Sequence, residues 1–117
     1  MKYDLKKSVW DAMKACQAIQ AFSTGLTLEV YQADLKSRSA VERQFEILGE
    51  AFNRIDDVDS SFRERFSEMG DVIGMRNRIS HGYDRVSDEF ILIAAQKHVP
   101  ILMKKLAAWL EKNGGTP

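Results

Sequence analysis

Ala40-Val41-Glu42-Arg43-Gln44-Phe45-Glu46-Ile47-Leu48-Gly49-Glu50-Ala51-Phe52-Asn53-Arg54-Ile55 decides how the rest of the chain is read. Val41, Phe45, Leu48, Phe52 and Ile55 step by 4, 3, 4 and 3, the recurrence that puts apolar side chains on one face of an α-helix. Beside that stripe run Glu42, Glu46 and Gly49, with Glu50 adjoining. A glycine inside a helix costs about 1 kcal/mol relative to alanine, so Gly49 marks a place where another backbone is expected to come close. Paired acids at i, i+4 are usually a solvated face. Ser37 or Ser39 is the expected N-cap, and Ser39 with Glu42 has the capping-box spacing.

The same period recurs on both sides. A first helix is expected from about Asp4 to Phe22, with Val9, Ala12, Met13, Cys16, Ile19 and Phe22 inward and Gly25 as its C-terminal stop. Thr27 caps a short helix over 28–35. Asp56 to Ser60 reads as a polar connection, and Ser61 with Glu64 starts another short helix through Phe66. Asp71 is the expected cap of a helix from Val72 to about His81, broken by Gly82. Ser87, with Asp88 and Glu89 in the first turn, opens the last helix, whose buried stripe is Ile91, Ala95, His98, Leu102, Leu106 and Trp109. Pro100 should kink it, because proline removes a backbone donor and clashes with the preceding turn. His98 on that stripe reads as a packed or interface histidine. The fold class is therefore all-α: one domain over 1–112, about five helices with an up-and-down core and a kinked last helix, and a tail over 113–117.

A chain of 117 residues with 44% apolar residues suits one core. Lys+Arg and Asp+Glu both count 17, so nothing in the net charge draws the protein to nucleic acid or membrane, and any RNA contact must come from a local patch. The single cysteine, Cys16, forms no internal disulfide and fits a reducing cytosol. It lies in the first apolar stripe, as a small buried hydrophobe rather than a nucleophile. Asp4, Lys6, Lys7, Asp11 and Lys14 make the start of the chain unlike a signal peptide. The apolar run at Ile91 to Ala95 is far too short to span a bilayer. The expectation is a soluble cytoplasmic protein without a cofactor.

Chemistry concentrates in Met75-Arg76-Asn77-Arg78-Ile79-Ser80-His81-Gly82-Tyr83. Arginine offers a fixed fork of donors suited to phosphate, and histidine exchanges protons near neutrality. Together they are what metal-free cleavage of RNA requires. In a helix Asn77 and His81 share a face, whereas Arg76 and His81 are about 140° apart, so one phosphate could meet both only across a groove or with a second subunit. The three arginines and one acid between Arg76 and Arg85 make a modest basic patch. Asp84, three after His81, suits orienting the imidazole; no His/Cys/carboxylate set has metal spacing.

Arg76-Asn77-x-x-x-His81-x-Tyr83 resembles the signature of the HEPN superfamily, specifically the HepT-like toxins. The helix carrying Gly49-Glu50-Ala51 resembles that family's second hallmark, and Ile73-Gly74-Met75 before Arg76 also fits. The likeness covers nearly the whole chain, although 62–69 lacks the proline and tryptophan the family usually carries there. The resemblance implies a metal-independent endoribonuclease toxin acting as a homodimer, with Arg76 and His81 catalytic and Asn77, Glu46 and Glu50 supporting. It further implies a cognate minimal nucleotidyltransferase antitoxin that transfers AMP to Tyr83. The alternative is a non-catalytic HEPN module serving as the substrate-binding partner of a nucleotidyltransferase; a plain structural helical protein is the third reading.

Overall fold

The computed structural model describes residues 4–81 and 87–115, without the side chains of Ser80 and His81. The expected break at Gly82, the pairing of Asp84 with His81 and the placement of Tyr83 lie outside the described residues. Within them the elements are α1 (Leu5–Ser23), α2 (Leu28–Ala33), α3 (Leu35–Val58), α4 (Phe62–Arg65), α5 (Glu68–His81), α6 (Asp88–Ile93), a π-helical turn (Ala94–His98) and α7 (Val99–Lys112). The all-α class holds, with no strand among the described residues. No helix among them is long and apolar enough to cross a membrane.

The long helix α3 is the organising element, packing against α1 and α5, while α7 packs on α1. Its predicted stripe is the core: Val41, Phe45, Leu48, Phe52 and Ile55 are all buried, as are Gly49 and Ala51 beside them. Complete removal of a phenylalanine side chain from water is worth about 1.5–3 kcal/mol, so the buried Phe45 and Phe52 are large contributions to the core. Phe62 closes one end, stacked on Phe66 with ring centroids 5.1 Å apart and tilted against Trp109 at 5.6 Å.

Helix ends depart from the sequence reading in instructive ways. The cap of α3 is Asp34, not Ser37 or Ser39: its carboxylate accepts from the Lys36 and Ser37 amides, and the Ser37 hydroxyl donates to it. Asp34 also closes α2, its amide bonded to the Tyr31 carbonyl, so one residue serves two helices and Leu35 belongs to α3. The far end of α3 runs through Val58, absorbing most of the expected 56–60 connection. Asp59 then takes the turn, accepting from the Ser61 amide at 3.0 Å; Ser61 makes no capping bond of its own. Likewise α5 starts at Glu68, which leaves Asp71 inside its first turn rather than at its cap. Acids there still favour the helix, because unpaired amides make its N-terminus positive. Asp4, Thr27 and Ser87 do cap their helices.

Two side chains expected inside lie outside. Phe22 is exposed and Ser23 faces inward, its hydroxyl donating to the Ile19 carbonyl at 2.8 Å. His98 is also exposed. The reason is the π turn: the Val99 amide bonds to the Ala94 carbonyl, five residues back, which inserts one residue into the helical count just before Pro100. Beyond it the inward register is Val99, Leu102, Leu106 and Leu110, with Trp109 half-buried. The wide turn puts Pro100 in the first turn of α7, where its missing N–H costs no intrahelical bond. Cys16 is buried among apolar neighbours, and desolvation pushes its thiol up to about 12, far from the reactive thiolate range.

Candidate active site

The crossing of α3 and α5 brings together residues 26 positions apart. Arg76 projects from α5 onto α3. Its Nη2 donates to Glu50 Oε1 at 3.3 Å and its Nη1 donates to Asn77 Oδ1 at 3.1 Å. The side chain of Arg76 is 26% exposed and that of Glu50 42%, so the pair sits at the rim, its stem inside and its charged end reaching solvent. The Nε of Arg76 is buried with no partner among the described residues, which places the committed donors on the outer edge of the guanidinium.

Gly49 explains how the arginine reaches that position. A Cβ built on Gly49 would stand 2.7 Å from Arg76 Cγ and closer still to Arg76 Cβ, and the three nearest atoms all belong to Arg76. The stem of Arg76 therefore lies directly over the bare backbone of α3. The helix needs a glycine here for close approach, as its interior position suggested, and the approaching group is a side-chain stem rather than a second backbone.

Glu46 stands one turn before Glu50 on α3 and is half-buried. Asn77 is exposed. The α5 backbone continues helical through His81, so positions 77 and 81 are one turn apart and position 81 lies on the same rigid element as Arg76. The His81 imidazole and all of Tyr83 lie outside the described residues. Thus the structure joins Arg76, Asn77 and Glu50 directly. His98 belongs to a different neighbourhood.

That neighbourhood is an apolar cavity of about 180 Å³ between α3, α5 and the last helix, lined by Phe45, Val72, Met75, Phe90 and Leu102 among others, with Glu68, Asp71 and His98 at its edge. Lys105 Nζ donates to both oxygens of Glu68 at 2.9 and 3.1 Å. Burial alone would push the Glu68 carboxyl up, but the Lys105 bond, a backbone N–H and the charges of Lys105 and His98 together hold it below its usual range. None of Arg76, Asn77, Glu46 and Glu50 lines this cavity.

An all-α bundle whose third and fifth helices join an arginine to a glycine-glutamate pair has the layout of a HEPN-type domain. The family of HepT-like ribonucleases, "Ribonuclease HepT-like", matches residues 12–108 of the chain. The chain belongs to the HepT-like ribonuclease family. It is 28% identical over 103 residues to "Putative RNase TTE0752" of Caldanaerobacter subterraneus subsp. tengcongensis, covering 86% of this chain and 89% of that protein. It is 25% identical over 107 residues to "Putative RNase MJ1380" of Methanocaldococcus jannaschii, covering 90% of this chain and 95% of that one. No solved structure gives a significant match.

Proposed function

We propose that this protein is a metal-independent endoribonuclease, the toxin of a toxin–antitoxin pair, working in the cytoplasm with Arg76 and His81 as its catalytic residues. The observation that carries this reading is the held arginine. Arg76 is anchored by Glu50 and Asn77, on the helix that also carries His81, in a family described as ribonucleases.

RNA supplies its own nucleophile. The 2′-hydroxyl loses its proton to a base and attacks the adjacent phosphorus; the bond to the 5′-oxygen breaks and that oxygen takes a proton. The products are a 2′,3′-cyclic phosphate and a free 5′-hydroxyl. His81 serves the proton transfers, an effect of roughly 10²–10⁴-fold. Arg76 neutralises the phosphate as it becomes five-coordinate, where losing one donor costs on the order of 10²–10³-fold. Asn77 and Glu50 keep its guanidinium aimed, and Glu46 extends the acidic support along α3. One histidine per chain does not act as base and acid at once, so a twofold homodimer that brings two motifs to one groove completes the site.

Regulation follows from Tyr83, two residues after His81. A nucleotidyltransferase antitoxin that transfers AMP from ATP to its phenol oxygen, with the phenol proton lost and pyrophosphate leaving, sets an anion beside Arg76 and His81, where it occupies the cation and repels the RNA backbone. The test of the whole reading is cleavage of a short RNA, in chelator, by wild type, Arg76→Ala and His81→Ala. Both variants should be inactive while still folding and melting cooperatively, and wild type should be indifferent to EDTA. An active His81→Ala, or an activity abolished by EDTA, overturns the mechanism.

A further inference from the structure

Resting on the reading of Arg76 as the cation that faces RNA phosphate, we propose that Gly49 is a positioning residue for the reaction: its missing side chain is what sets the reach and direction of Arg76. Gly49 touches no substrate in this account and acts only through the arginine.

The argument is steric. Ordinary van der Waals contact to a Cβ begins at 3.4 Å, and a Cβ on Gly49 would fall about 1 Å short of that from Arg76 Cβ. Both atoms are fixed to their helices, so no rotamer change relieves the overlap. The two helices must therefore separate or slide at this point, which carries the stem of Arg76 off the surface on which it lies. Either movement breaks the geometry that brings Nη2 to Glu50, because an arginine reaches sideways only as far as its Cβ allows. Elsewhere on α5 the chain tolerates a methyl: Gly74 has nothing within 4 Å of the same construction. Among the described glycines inside helices (Gly49, Gly70 and Gly74), the steric demand is confined to the point beneath the arginine. A misplacement of about 1 Å at a reacting centre is worth on the order of 10²-fold in rate.

The experiment compares Gly49→Ala, Arg76→Ala and the double variant in two measurements. The first is kcat/KM on a short RNA. The second is the salt dependence of binding to single-stranded RNA in a His81→Ala background, where each lost phosphate contact lowers the slope by about 0.7. Gly49→Ala is expected to keep its helical spectrum, to lose about 10²-fold in kcat/KM and to lower the salt slope by about 0.7. Arg76→Ala should lower the slope equally, and the double variant no further. A role in packing alone would leave the slope intact. Should Gly49→Ala fail to fold, the exchanged pair Gly49→Ala/Arg76→Gly removes the atoms in conflict and should restore folding while binding with the reduced slope. Failure of the exchanged pair to fold overturns the proposal. So does a Gly49→Ala protein with wild-type rate and slope beside a silent Arg76→Ala. If Arg76→Ala itself cleaves and binds as wild type, the reading of Arg76 falls first and Gly49 with it.

Discussion

Replacing Glu50 by alanine separates a residue that aims a catalytic group from one that holds the fold. The ion pair with Arg76 is 3.3 Å long, with side chains 42% and 26% exposed. Pairs this open to solvent contribute about 0–1 kcal/mol, so Glu50→Ala should lower the melting temperature by no more than about 4 °C. A domain of ordinary stability, about 5–15 kcal/mol, stays more than 99% folded after such a loss. The rate should fall much further than the folded fraction. Arg76 keeps Asn77 as a neighbour and loses its anchor on α3, which puts the expected drop on the order of 10-fold, between wild type and the 10²–10³-fold of losing a charge-stabilising donor altogether. Glu50→Gln retains an oxygen that accepts from Nη2 and should lose less. Single-turnover cleavage of a short RNA beside a thermal melt reads both quantities. A rate within twofold of wild type refutes the anchoring. A faster enzyme refutes it more sharply, since Glu50 would then be restraining Arg76 from the phosphate. A melting temperature lower by 10 °C or more would make the pair structural.

Three further expectations concern assembly, regulation and pH. Sedimentation or mass photometry at micromolar concentration should show a dimer, and a fully active monomer would exclude the shared groove. Tyr83→Phe keeps the ring without its oxygen, so co-expression with the proposed nucleotidyltransferase antitoxin should leave the variant unmodified and toxic; an intact-mass gain of AMP equal to wild type would defeat the assignment. Glu68 has its carboxyl lowered from 4.5, so its folded state binds a proton less readily than the unfolded chain. Its contribution to stability is present above pH 4.5 and is lost as the pH falls through the lowered value. Wild type should therefore lose more melting temperature on acidification than Lys105→Met, and parallel pH profiles would show that the Glu68–Lys105 contact carries none of this dependence.

The helices themselves were legible from spacing alone, because the period of 3.6 is a local property written into consecutive residues. The stripe from Val41 to Ile55 is buried throughout, and Thr27 and Ser87 cap where a hydroxyl followed by an apolar run said they would. Boundaries were less legible where two candidates competed. Asp34 displaced Ser37 and Ser39 because a single carboxylate between α2 and α3 satisfies the end of one and the start of the other. After Ile93 the expected stripe holds at Ala95, Leu102 and Leu106, all buried, and fails at His98, which is exposed, with Trp109 only half-buried. Spacing arithmetic assumes a uniform turn, and the π turn before Pro100 adds a residue that carries His98 outward and Val99 inward.

By itself the sequence determined an all-α chain and the motif Arg76-Asn77-x-x-x-His81-x-Tyr83, since both are patterns among near neighbours. The oddity of Gly49 was visible too, as a helix interior residue with a penalty to explain. Only the tertiary structure decided what met it. Positions 50 and 76 are joined by no local pattern, and the contact between them exists because α3 and α5 cross closely enough for the stem of Arg76 to lie on a backbone without a side chain. Periodicity states which face of a helix is apolar. The point at which two such faces cross is set by the packing of both helices with the rest of the core, and it is that crossing which turns an arginine and a glutamate far apart in the chain into one ion pair.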